Sequence, residues 1–355
     1  MRYISIDNVK EGMVLGKTLY AGSGQMLLNT NALIKEEYIG RIKGLGYAGI
    51  YIKDDFSEGV EIEEIISPEI KVATINKLKD IYVAEAGNNK KALGENIADM
   101  KGMVSNIVDD IISNRDVLIN VMDLKVYDDY TYFHSINVAV LSVAIGLGIG
   151  LNKDTLNALG VSAVLHDIGK KFISKDILEK KEKLTIEEFD IIKEHSQNGY
   201  VYIRENFNLS SVSNVAILQH HERYDGTGYP FGKKENDITA FARILAVVDV
   251  YDALTSKRPY HEAALPHVAL EYIEKEAGKL FDPHVTNIFL KRIAPYPIGM
   301  EVELSDGTKG LVVKNYEDEK HRPLIKVITQ DKEPVFYDLK NDESLKEVSI
   351  VKIAS

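Results

Sequence analysis

The chain has 355 residues, 45% of them hydrophobic and 27% charged, so two or three domains can each bury a core. Its formal net charge of -11 excludes a broad basic face for polymeric nucleic acid, although a bound metal can reverse the sign locally for a small anion. The absence of cysteine excludes disulfides, thiolate metal ligands and thiol nucleophiles, and is compatible with a reducing, cytoplasmic location.

Residues 1–66 read as a small mixed α/β module. Strand-like runs fall at 13–20, 26–28 and 46–52, a turn at 21–24, and helical spacing over 32–43. Asp7 and Glu11 stand where a secretory leader has its apolar stretch, so none is expected. The acidic segment 54–69 reads as a linker. Residues 67–126 are helical in pattern, with Val72, Ile75, Leu78, Ile81 and Tyr82 at three- and four-residue steps. Such helices suit a core, a connecting stalk or a homodimer interface alike. Residues 127–293 are almost wholly helical and contain the chemistry. Their longest apolar run, 136–151, falls short of the ~20 residues of a membrane helix and reads as a buried helix. Pro295 and Pro297 mark a boundary, and 294–355 reads as a small β module with a hairpin turn at Asp306-Gly307. The expected class is mainly α, a helical core between two small terminal modules.

Five of the nine histidines, His134, His166, His195, His220 and His221, lie in the central region beside apolar runs. Asp167 follows His166 at the end of the apolar stretch 161–165, before Gly169, which reads as a helix C-cap. Asp249 lies inside an apolar run at 244–250. His195 shares a helix with a capping-box pattern at Thr185 and Glu188. A buried acid is costly without a partner, and a divalent cation is the strongest such partner. Mixed imidazole and carboxylate donors suit Fe, Mn or Zn better than Mg or Ca. Seven donors exceed what one ion takes; two ions sharing Asp167 as a bridge would use them all. Paired ions activate water for phosphodiester hydrolysis.

The segment His166-Asp167-Ile168-Gly169-Lys170 and the segment His220-His221-Glu222-Arg223-Tyr224-Asp225-Gly226-Thr227-Gly228-Tyr229-Pro230 resemble the two signatures that name the HD-GYP family. The run 249–260 and Phe281-Asp282-Pro283 are similar to two further segments of that family. The resemblance covers about 127–293. It implies a helical HD-type core, a binuclear or trinuclear centre, usually of iron, and hydrolysis of the cyclic dinucleotide cyclic di-GMP to linear pGpG or GMP. Members with a third metal carry a glutamate four residues before the first ligand histidine. Here that position is Tyr130, which favours two ions and pGpG as the main product.

By the same resemblance Lys170 faces the scissile phosphate, where an ammonium offsets negative charge. Tyr229, on a lip stiffened by Pro230, and Arg258 and Tyr260, after the Asp249 helix, are expected in the substrate pocket. Asp252 suits either orientation of a ligand histidine or a local pairing. Alternatives to cyclic di-GMP hydrolysis are an HD-type phosphohydrolase of another cyclic dinucleotide or nucleotide, and a signalling scaffold without catalysis.

Overall fold

A computed structural model describes residues 1–21, 25–83, 90–115, 118–120, 130–180, 182–256, 263–327 and 334–353, and the side chains of all but 90–93 and 130 among them. The chain divides into two compact units.

The first unit comprises 1–64, 117–130 and 291–355, so the two terminal modules share it. Strands β1 (Arg2–Ser5), β2 (Val14–Leu15), β3 (Leu19–Tyr20), β4 (Met26–Leu28) and β5 (Gly49–Lys53) and helix α1 (Glu36–Gly44) form its N-terminal part. One antiparallel sheet runs β1-β5-β2, and β3 pairs with β4. The strand expected over 13–20 is split because Gly16 donates to Tyr51 O, which holds β2 on β5, while β3 turns to β4. The helix expected from residue 32 starts at Glu36, because Ala32 and Ile34 are tied by backbone bonds to Leu15 and Met13.

In the C-terminal part of that unit, β6 (Glu301–Leu304), β7 (Lys309–Lys314), β8 (Leu324–Val327), β9 (Val335–Asp338) and β10 (Ile350–Ile353) form an antiparallel sheet ordered β10-β6-β7-β8-β9. The β6–β7 turn places Gly307 at φ +85°, a conformation suited to glycine. Residues of β6 and β8 alternate between buried and partly exposed, as a sheet covered on one face requires. Tyr3 N donates to Gly299 O at 2.7 Å, and Arg2 pairs with Glu301 at 3.2 Å, joining the two parts.

The second unit comprises 65–116 and 131–290. It is helical: α2 (Pro68–Val83), α3 (Lys90–Ser113), α4 (Tyr130–Ile149), α5 (Lys153–Leu165), α6 (Lys175–Leu178), α7 (Ile186–Asn206), α8 (Ser211–Gln219), α9 (Ala240–Thr255), α10 (Pro266–Lys275) and α11 (Pro283–Arg292). Helices α2 and α3 bury Ile75, Leu78 and Ile81, and Met100, Val104 and Ile107, within this unit. A methyl on Gly160 of α5 would lie 2.6 Å from Val104 Cγ1, so α3 and α5 approach closely. Helix α4 begins earlier than the apolar run at 136 suggested. Residues 131–149 are long and apolar enough to cross a membrane, with mean hydropathy 1.6, which corrects the expectation from sequence. Since 78% of that window is buried inside the fold, it is a core helix, apolar on all sides because protein surrounds it.

Candidate metal centre

The second unit brings the seven predicted donors together. His134 sits in the first turns of α4, Asp249 in α9, and His195 in α7, whose start is fixed by reciprocal bonds between Thr185 and Glu188. His166 and His220 are the C-caps of α5 and α8, so Asp167 and His221 follow where each chain turns. Gly169 lies inside the 3-10 turn Ile168–Phe172 and is not the C-cap expected from sequence. It is glycine because a methyl there would collide with the carbonyl oxygen of His195, and Gly199 faces it from α7. This contact, with no side chain between the two segments, sets Asp167 beside His195.

Two sets of donor atoms lie within 4.8 Å of one another: His134, His166 and Asp167, and Asp167, His195, His220 and His221. Asp167 is common to both. Asp249 belongs to neither set, yet it spans them, with Oδ1 3.2 Å from His134 Nε2 and Oδ2 3.7 Å from His221 Nδ1. Nδ1 of His166, His195 and His220 each lies within 2.7 Å of the carbonyl three residues earlier, Ala163, Ile192 and Ile217. An amide carbonyl only accepts, so each ring donates from Nδ1, and Nε2 carries a lone pair. His134 donates likewise from Nδ1 to Asp252 Oδ2 at 2.7 Å.

The lone pairs of His166, His195 and His220 point inward without protons between them. Nε2 of His195 and Nε2 of His220 stand 3.2 Å apart, two acceptors face to face. His166 Nε2 and Asp167 Oδ1 are buried with no hydrogen-bond partner among the described residues. Such an arrangement is costly in a dry interior. Cations placed among the donors resolve it, and imidazoles fixed through their other nitrogen are the usual form of ligand histidine. The residues present therefore fit divalent metal.

Protonation follows the same logic. Burial, then neighbouring imidazoles, holds His220 and His221 well below the ordinary histidine value, and burial also lowers His166 and His195. Burial opposes charge on His134 too, but Asp249 and Asp252 outweigh it and raise the ring to about 9. Burial opposes ionisation of Asp167 and Asp249. Lys170 and the histidines overcome it at Asp167, and His134 and His221 do so at Asp249, so both carboxyls stay well below the usual range.

Around the donors, Lys170 Nζ is bonded to Asp167 Oδ2. The Tyr229 ring lies over His221, with centroids 4.6 Å apart and planes 31° from parallel. Its loop is held by Glu222, buried, whose two oxygens accept from Phe231 N at 2.9 Å and Lys233 N at 3.0 Å. Arg258 and Tyr260 lie outside the described residues, as does the side chain of Tyr130. Sequence reasoning missed Asn137, which donates to Asp252 Oδ1 at 3.0 Å, and Glu222 and Gly199. The spacing of Asp252 from Asp249, less than one turn on the same helix, was the one available signal among these.

Residues 106–285 match the family model described as HD domain. A protein of Pseudomonas aeruginosa named cyclic di-GMP phosphodiesterase PA4108 is 33% identical over 270 residues, which cover 76% of this chain and 63% of that one. A protein of Vibrio cholerae named 3'3'-cGAMP-specific phosphodiesterase 1 is 32% identical over 219 residues, 61% of this chain and 50% of that one. The chain thus spans between half and 63% of the length of these relatives. Among solved structures, Bd1817 of Bdellovibrio bacteriovorus, described as an HDG"Y"P protein, aligns over 81% of this chain and 97% of that chain with TM-score 0.54. At 18% identity this likeness concerns the fold alone.

Proposed function

The chain belongs to the HD domain family, and on that premise we propose that it is a metal-dependent phosphodiesterase that hydrolyses cyclic di-GMP, mainly to linear pGpG, at a binuclear centre. The observation that carries the proposal is the convergence of two donor sets on one shared carboxylate, Asp167. His134, His166, Asp167 and Asp249 would hold one ion, and Asp167, His195, His220 and His221 the other. The mixed donors suit iron, or alternatively manganese or zinc. When bound, such a pair supplies an activated water and neutralises charge on a phosphodiester.

The chain's own residues prepare that chemistry. Backbone carbonyls and Asp252 fix the ring orientations in advance, so no ring must turn, and only His134, raised to about 9, must shed a proton to serve as a ligand. Lys170 places an ammonium at Asp167, where a phosphate oxygen approaching the centre gains a counter-charge. Tyr229 walls the His221 side with a ring that can pack against a ligand. Arg258 and Tyr260 complete the pocket in this reading. Water adds at phosphorus, one P–O bond of the ring breaks, the released oxygen takes a proton, and linear pGpG results. With Tyr130 in place of a carboxylate, a third ion has no anchor there, so the second cut is slow.

The test is metal content of anaerobically prepared protein beside a time course resolving cyclic di-GMP, pGpG and GMP. Two ions per chain and a pGpG plateau are expected. Three well-occupied ions, or GMP rising without a pGpG lag, would overturn the binuclear assignment. A second reading, another cyclic dinucleotide as preferred substrate, draws on the name of the Vibrio cholerae relative. Comparing kcat/KM on cyclic di-GMP and 3'3'-cGAMP separates the two.

A further inference from the structure

The segment that follows α8 carries a buried acid that belongs to neither donor set. Glu222 stands directly after His221 and is 1% exposed. A carboxylate so far from water needs partners, and those it has are two main-chain amides. Phe231 N donates to Oε1 at 2.9 Å, and Lys233 N donates to Oε2 at 3.0 Å, from 9 and 11 positions further along the chain. Each oxygen serves a different amide, and a carboxylate offers both acceptors. A glutamine would accept from one amide and present its own amino group to the other.

These bonds close a turn built at short range. Tyr229 N donates to His221 O at 3.1 Å, and Gly226 N donates to Arg223 O at 2.7 Å. A methyl on Gly228 would collide with His221 O and Arg223 N, so the chain folds back directly onto the segment that supplies the acid. Tyr229 is therefore held on both sides. Its own amide is tied to the His221 carbonyl, and two residues later the Phe231 amide is tied to Glu222. The result is a ring laid over His221, with His195 at 6.5 Å between centroids. Tyr229 is only partly buried, so a ligand at the centre can reach it.

We propose that Glu222 is a positioning residue for the reaction: by holding the amides of Phe231 and Lys233 it fixes Tyr229 as a rigid wall against which the cyclic dinucleotide packs. The assignment rests on the phosphodiesterase reading above and deepens it, naming what keeps that wall in place. The carboxylate neither touches substrate nor moves a proton. Its contribution is that the ring need not be ordered when substrate arrives.

The test uses Glu222→Gln and Glu222→Asp in the full-length, manganese-loaded protein, each alone and combined with Tyr229→Ala. Three quantities are read: hydrogen exchange at the Phe231 and Lys233 amides, both ion affinities by competition with a graded chelator, and kcat and KM on cyclic di-GMP. In Glu222→Gln at least one of the two amides should exchange about tenfold faster or more. Both ion affinities should stay within threefold of the parent. kcat/KM should fall about tenfold or more, mainly through a rise in KM. In the Tyr229→Ala background the same substitution should change kcat/KM by less than twofold, because the ring it positions is gone. Equal factors in both backgrounds would overturn the proposal, since Glu222 would then act without Tyr229. So would unchanged amide exchange, kcat/KM within twofold of the parent, or a loss of activity that tracks a loss of metal. Glu222→Asp keeps both acceptors on a shorter arm, and its cycle decides in the same way if the glutamine variant does not fold. A parent that cleaves 3'3'-cGAMP and leaves cyclic di-GMP intact would refute the substrate reading. The same cycle run on 3'3'-cGAMP would still decide the role of Glu222.

Discussion

Asp252→Asn exchanges one oxygen for an amide nitrogen at a buried position, and its effect can be sized from contacts. Asp252 Oδ2 accepts from His134 Nδ1 at 2.7 Å, and Oδ1 accepts from Asn137 Nδ2 at 3.0 Å. Asparagine offers one acceptor and one donor in the same place. If its oxygen faces His134, its amino group confronts Asn137, which must turn to present Oδ1. If its amino group faces His134, the ring must move its proton to Nε2, closing the lone pair directed at Asp249 and Asp167. The first route keeps the tautomer but turns a charge-assisted bond into a neutral one, a loss of about 1–1.5 kcal/mol. That is roughly tenfold in affinity, and the second route costs more. The expected loss of metal affinity is therefore about 10- to 100-fold, the range seen when partners of ligand histidines are removed. It should fall on the ion held with His166 and spare the one held with His195, His220 and His221. Competition with a graded chelator, read by elemental analysis, gives both affinities. Equal weakening of both ions, or neither changing by more than threefold, would refute the reasoning.

Asp167→Asn should weaken both ions together, because both donor sets include that carboxylate; loss of one ion with near-normal turnover would contradict the bridge. Gly169→Ala drives a methyl into the His195 carbonyl and should cost about 3 kcal/mol or more, measured by urea unfolding; a cost under about 1 kcal/mol would mean that the two segments can separate freely. In chelated protein, His166, His195, His220 and His221 have folded values below the ordinary 6.5, so they favour folding above that pH and lose this contribution as pH falls. His134, raised to about 9, acts oppositely, favouring folding below 6.5 and losing that contribution as pH climbs through about 9. With four groups against one, the urea midpoint should drop between pH 7.5 and 5.5; a flat or rising midpoint would contradict the neutral, buried imidazoles.

The donors were legible because each violates a local rule. Asp249 interrupts an apolar run, and His166-Asp167 and His220-His221 end two others, positions where a polar group is expensive without a partner. Their supports were not legible, because a support is defined by contact across the fold. His134 and Asp252 meet over 118 positions of sequence. Glu222 looks like a loop residue until its bonds to Phe231 N and Lys233 N are seen. Gly169 was misread because a helix-ending glycine and a close-contact glycine look the same in one sequence, and only Gly199 across the gap distinguishes them. Among strands, β6 and β7 flank a recognisable turn. β1 has no such punctuation and owes its state to pairing with β5.

The pairing of Tyr3 with Gly299, and of Arg2 with Glu301 over 299 positions, has a temporal consequence. During synthesis from the N-terminus, the first strand emerges early, yet this far partner emerges only after all of the helical unit's chain has been made. The helices can complete their core while the first unit still waits for its second half. Closing so long a loop adds little to the equilibrium cost, since that cost grows only logarithmically with length. What it lengthens is the interval during which the early strands stand incomplete, the situation in which unpaired edges meet other chains.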